Sequence, residues 1–203
     1  MRPPTLTRDW DAFVTQIKRL EDLSASLLPL NPVHRWLVAE ILMIRLFMLV
    51  ENCIEVIAAK LLCGAQYLDA TAPHRIVFPS SLQHALRLME THSRPKPRLL
   101  RWNKAKEIRE NLATTLDLSD PLFAAVAAVT MMLNDMRYVR NHIAHNNAGT
   151  RNRFQTVVLR HYGARVRAVT PGRLLLTQRP GPAPVLNAYL IAAKTFVKAV
   201  VHA

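Results

Sequence analysis

Apolar side chains recur at helical spacing along most of the chain. Over residues 7–28, Trp10, Phe13, Val14, Ile17, Leu20 and Leu23 fall on one face, which predicts an amphipathic helix. Asn31 followed by Pro32 is an N-cap with proline at the first helical position. A second helix therefore runs from there to Cys63, with Gly64 as its stop. It is apolar on most sides through its middle, as a central helix with several neighbours would be. Its greasiest stretch, residues 41–50, is broken by Arg45 and flanked by Glu40 and Glu51. That is short of the roughly 18 apolar residues a membrane span needs, and it reads as a buried or dimer-forming face.

The following elements are shorter. Residues 70–79 hold two prolines and read as a loop, and residues 80–92 as a helix capped by Ser80 or Ser81. Ser93-Arg94-Pro95-Lys96-Pro97-Arg98 is a basic, proline-punctuated linker. A helix with an Arg/Lys-rich start is expected over 101–115, and a long one over 120–146, with Pro121 in its first turn. Ala125, Val129, Met132, Met136 and Val139 form its apolar seam. Residues 151–162 fit a helical face through Phe154, Val157, Val158 and His161, although Thr156-Val157-Val158 also fits a strand; a helix ended by Gly163 is preferred. Residues 165–177 read as irregular or short β, 180–184 as a loop and 185–202 as a last apolar helix. The outline is all-α, a helical bundle with a basic excursion before its final helix.

Charge sharpens this outline. The 203 residues carry 27 Lys+Arg against 14 Asp+Glu, a formal net charge of +13. Residues 1–72 are close to neutral at −1, while residues 73–203 carry +14. Nothing after Asp135 is acidic. A positive half beside a neutral half points to an anionic partner, nucleic acid first. Arginine outnumbers lysine, and its planar fork suits phosphate, although GC-rich coding gives the same bias. Cys53 and Cys63 on one helix would stand about 15 Å apart along its axis, too far for a disulfide. Two unpaired thiols suit a reducing cytoplasm, and the N-terminal Met-Arg-Pro-Pro-Thr has no apolar core of a signal peptide.

Several chemistries have no residues to run on. There is no Gly-x-Gly-x-x-Gly or Walker-type loop, and four of the five glycines follow residue 148. Two cysteines ten residues apart, with no His-x-x-x-His partner, do not form a zinc pattern. The acid-free tail offers no carboxylate for a metal, so no cofactor and no metal site is expected. Chemistry centred there would use histidine, arginine, amides and hydroxyls in acid–base or anion-stabilising roles.

One segment combines these groups. Arg140-Asn141-His142-Ile143-Ala144-His145-Asn146 closes the helix over 120–146. Asn141 and His145 are four apart and share a face. Arg140 lies about 140° from His145 on an ideal wheel. Its guanidinium joins them if the final turn loosens. This Arg-Asn-x-x-x-His at a helix end, in a small all-α chain, resembles the HEPN superfamily, with Arg140, Asn141 and His145 matching its motif. The helix pattern over about 35–146 is similar as well, while the basic stretch 151–179 lies outside the minimal family core. The resemblance implies a single HEPN-like domain over 1–203, with a helical core about 7–148, a basic excursion about 149–184 and a C-terminal helix about 185–202. It implies a metal-independent endoribonuclease that homodimerises, so that two Arg–His motifs meet in one cleft. Toxin–antitoxin and phage-defence systems are the family's setting, with an acidic antitoxin or regulatory protein as a further partner. Other family members keep the fold only as an RNA- or protein-binding module.

Each candidate also has a plain structural reading. His and Arg near a helix C-terminus suit the macrodipole, and Asn146 is a fair C′ residue. His142 is placed as an assistant to the motif. Glu51, with Glu55 one turn on, either orients the Arg–His pair or makes a salt bridge with Arg45 or Lys60. The basic run Arg94, Lys96, Arg98, Arg101, Lys104, Lys106 and Arg109 gives one positive stripe if Arg98, Arg101 and Lys104 share a helix face. Arg151, Arg153, Arg160, Arg165, Arg167, Arg173 and Arg179 make a looser set beside the motif. With Arg137, these are the candidate RNA contacts; the same charges would also balance an acidic protein. A DNA-binding regulator is disfavoured because no helix-turn-helix pair is evident.

Overall fold

The side chains that cap and stop the first helices act as their sequence predicts. In this computed structural model, which describes residues 4–92, 96–178 and 181–202, α1 spans Thr7–Ala25 and α2 spans Pro32–Leu62. Asn31 caps α2 by accepting the His34 N–H at 3.0 Å. At its other end Gly64 takes φ +92°. Its N–H bonds the Leu61 carbonyl at 3.0 Å and the Ala65 N–H bonds Lys60 at 2.9 Å, the paired closure that glycine at C′ permits. The remaining helices are α3 (Leu82–Thr91), α4 (Ala105–Leu112), α5 (Pro121–Ala128), α6 (Thr130–His145), α7 (Ala148–Tyr162), α8 (Pro171–Leu175) and α9 (Val185–Val201). Among the described residues the only β pairing is an isolated antiparallel bridge, Arg75 with Leu116, so the all-α class holds. No single helix among them is long and apolar enough to cross a membrane. Arg94 and Arg179, with Ser93 and Pro95 of the linker, lie outside the described residues.

Three expectations need correction. The helix expected over 101–115 is only Ala105–Leu112, and Arg98, Arg101 and Lys104 precede it in non-helical chain. Buried Trp102 and the bond from the Asn111 side-chain amide to the Arg101 carbonyl, 2.9 Å, hold that lead-in against α4. The helix expected over 120–146 breaks at Val129, which leaves helical geometry (φ −106°, ψ 13°). There the Thr130 hydroxyl bonds back to the Ala127 carbonyl at 2.9 Å, a side-chain competitor to the helix ladder. Residues 165–177, expected to be irregular or β, contain α8, with Thr170 as its cap and Pro171 at its first position.

The chain divides into two compact units, Met1–Val14, Val50–Thr130 and Thr195–Ala203 forming the first, Thr15–Leu49 and Met131–Lys194 the second. In the first, Lys60 pairs with Asp9 at 2.7 Å, and the Leu68 N–H bonds the Val201 carbonyl at 2.8 Å. Buried Asp120 caps α5, accepts the Tyr67 hydroxyl at 2.5 Å and takes the His74 N–H at 2.9 Å. That single carboxylate ties the loop after α2 to the start of α5, and burial with the Asp120 bond pushes the Tyr67 phenol well up. The second unit holds the Arg140–His145 segment. Its core is built from Ile17, Leu20, Met43, Leu46, Phe47, Met136, Val139, Phe154, Val158 and Leu186, all buried. Ser24 of α1 bonds Asn187 of α9 at 3.0 Å. α8 docks on α2 at Gly172, whose N–H donates to Glu40 Oε1 at 2.8 Å. A Cβ there would lie 2.5 Å from the Trp36 carbonyl oxygen, so only glycine fits.

Candidate functional site

Arg137, Arg140, Asn141, His142 and His145 all lie on α6, and α6 stays helical through His145. Arg137, Asn141 and His145 are spaced by four and form one stripe. Arg140 joins it without any loosening of the last turn: its Nη1 donates to Asn141 Oδ1 at 3.0 Å. The bond leaves the Asn141 amide NH2 as the group facing other acceptors. Arg140 and Asn141 are half-buried and His145 is exposed. The Arg137 guanidinium lies over the Tyr138 ring, 4.7 Å from its centroid. One helix end thus presents an arginine fork, an amide and an accessible imidazole.

The chain then turns sharply. Asn146 takes φ +35°, tolerated by asparagine, and its N–H bonds the His142 carbonyl at 3.0 Å. Asn147 caps α7 in a reciprocal box: its Oδ1 accepts the Thr150 N–H at 3.0 Å, and its own N–H donates to Thr150 Oγ1 at 3.1 Å. The same hydroxyl lies 3.2 Å from His142 Nδ1 and 3.0 Å from the Asn147 carbonyl. His142 is buried at 8 % exposure, stacked on Phe154 with ring centroids 4.8 Å apart. Burial, then the charge of Arg151, pushes its imidazole below the ordinary value and favours the neutral ring. His142 therefore supports the corner from inside and is not an exposed acid–base group. Thr150 was missed in the sequence, although Asn147-x-x-Thr150 is the capping-box spacing; taking the helix to start at residue 151 hid it.

A second polar group ties the far end of these helices. Asp135 on α6, 5 % exposed, forms an ion pair with Arg160 on α7, and the Tyr189 hydroxyl of α9 is 3.4 Å from His161 Nε2. Burial pushes the Asp135 carboxyl up, with Arg160 opposing the shift. The last acid of the chain is thus spent on holding α6 against α7.

The other predicted residues are distributed as follows. Arg151 and Arg153 are exposed on the first turns of α7, which carry no acid. Arg98, Arg101, Lys104 and Glu51 belong to the first unit. Arg98 pairs with Glu110 at 2.5 Å, and Lys104 and Arg101 reach Glu107 at 2.8 and 3.9 Å. Their charge is largely answered locally, and without a helix they do not form the expected stripe. Lys60, one of the partners expected for Glu51 or Glu55, pairs with Asp9. Burial and the nearby Glu90 push the Glu55 carboxyl up. No group of three or more His, Cys, Asp or Glu side chains able to hold a metal occurs among the described residues. Comparison with protein-family models, with curated proteins and with solved structures gives no match. The HEPN resemblance therefore rests on Arg140, Asn141 and His145 and on the helical pattern around them.

Proposed function

We propose that this chain is a metal-independent endoribonuclease of HEPN type. The observation that carries the reading is the joined Arg140–Asn141 pair on the same helix end as exposed His145. In the proposed reaction an imidazole at position 145 takes the proton of a ribose 2′-OH. The freed oxygen attacks the adjacent phosphorus as the bond to the 5′-oxygen breaks. His145 of the partner subunit, protonated, gives its proton to that leaving oxygen. Arg140 holds the crowded phosphate oxygens, and the Asn141 NH2 donates to one of them. The products are a 2′,3′-cyclic phosphate and a 5′-OH, and DNA is not a substrate.

The surroundings favour an anion. The positive dipole end of α7 lies beside exposed Arg151 and Arg153. RNA is the proposed partner, in a homodimer, in the cytoplasm, within phage defence or toxin–antitoxin growth control, with an acidic antitoxin as its counterpart. One observation favours a second reading, a silent RNA- or protein-binding module: no hydrogen bond among the described residues orients His145. Purified protein incubated with RNA in EDTA separates the two. The nuclease reading expects cleavage that His145→Ala and Arg140→Ala both abolish while the fold persists. Salt-sensitive binding with no cleavage of any RNA supports the module.

A further inference from the structure

The first half of α2 leaves an apolar stripe uncovered. Val33, Leu37, Ile41 and Met48 are 65, 55, 45 and 50 % exposed, while Leu42, Met43, Leu46 and Phe47 of the same helix are buried. At about 100° per residue the four exposed side chains and half-buried Ile44 share an arc of roughly 80°. A contiguous apolar stripe on a helix differs from singly scattered exposed side chains and marks an interaction surface.

The spacing and the flanking charges say what covers it. Leu37, Ile41, Ile44 and Met48 follow one another at intervals of four, three and four, the seam of two helices packed side by side. Glu40 and Arg45, five residues apart, border this seam on opposite edges. When two such helices lie parallel and in register, the edge carrying Glu40 meets the edge carrying the partner's Arg45, twice by symmetry. In the antiparallel arrangement each edge meets itself, and Glu40 and Arg45 do not meet. Both groups have capacity to spare. Glu40 uses Oε1 for the Gly172 N–H and retains its second oxygen. Arg45 is exposed and has no carboxylate partner among the described residues.

We infer that this face of α2 packs against the same face of a second copy, parallel and in register, with Glu40 opposite the partner's Arg45. The inference is argued from exposure and charge and supplies the dimer that the nuclease reading needs. A dimer through this face that cuts no RNA sinks only the nuclease reading, a dimer through another face sinks only this inference, and a single-chain mass sinks both. Light scattering on the full chain is expected to give the mass of two 23.0 kDa chains, and Arg45→Glu to return it to one. Leu37→Cys and Met48→Cys, each alone, are expected to form disulfide dimers on oxidation, because each residue meets its own copy. Wild type, with Cys53 and Cys63, gives the background. A single-chain mass for wild type at every concentration overturns the inference. So does an undiminished dimer in Arg45→Glu, or crosslinking only when Leu37→Cys and Met48→Cys proteins are mixed.

Discussion

Thr150→Val tests the corner that carries the candidate site. The substitution keeps the shape and β-branching of the side chain and removes one hydroxyl. In the structure that oxygen accepts the Asn147 N–H at 3.1 Å, lies 3.0 Å from the Asn147 carbonyl and lies 3.2 Å from buried His142 Nδ1. A lost helix cap costs about 1 kcal/mol, and a buried polar atom left without a partner costs about 1–3 kcal/mol. Asn147 sits at the surface, where water replaces much of its share, so the buried His142 nitrogen dominates and the expected loss is about 2 kcal/mol. For a chain of this length that lowers Tm by roughly 4–8 °C. Circular dichroism melts of wild type, Thr150→Val and Thr150→Ser measure it. Serine restores the hydroxyl and is expected to recover most of the loss. A valine variant within about 0.5 kcal/mol of wild type, the ordinary range for a surface change, would refute this account of the corner.

Three more outcomes follow from the same geometry. Arg160→Met strands the Asp135 carboxylate in the α6–α7 contact and is expected to cost about 3 kcal/mol in urea unfolding, while Asp135→Leu with Arg160→Met recovers much of it; equal losses in the single and double variants would contradict the pairing. His142, its imidazole held below the ordinary value, binds a proton less readily folded than unfolded. Its contribution is complete above the unfolded value of about 6.5 and is lost as pH falls toward the folded value, by up to about 1.4 kcal/mol per pH unit; urea unfolding between pH 7 and pH 5 should show this slope, and His142→Gln should lack it. Arg151→Ala and Arg153→Ala should each lower the salt-dependence slope of RNA binding by about 1, whereas Arg98→Ala, whose charge Glu110 already answers, should barely move it.

The sequence was legible where periodicity and end signals agreed. Helix α2 is bounded by Asn31-Pro32 and Gly64, and both ends act as their chemistry predicts. The break at Val129 is silent, because Ala127, Ala128 and Thr130 offer no proline or glycine and the seam runs across it. α8 is too short for periodicity, and only its Thr170-Pro171 start could have announced it. Arg98, Arg101 and Lys104 imitate helical spacing in chain that the bond from Asn111 to the Arg101 carbonyl and buried Trp102 hold out of the helix. At the candidate site the residue types and the His145 face were readable from spacing. A helical wheel separates adjacent residues by about 100°, however, so it could not show Arg140 reaching sideways to Asn141. The role of His142 was hidden for another reason. Only the turn at Asn146 brings Thr150 and Phe154 against it and buries it.

The proposed reaction leaves its signature in the chemistry of the ends it makes. Mass spectrometry of a defined RNA digested by the purified chain in EDTA should show 2′,3′-cyclic phosphate and 5′-OH ends. A matching oligonucleotide with a 2′-deoxyribose at the cut site should stay whole, and His145→Ala should yield no product. Cleavage of the 2′-deoxy strand, 5′-phosphate ends, or undiminished cutting by His145→Ala would contradict the account.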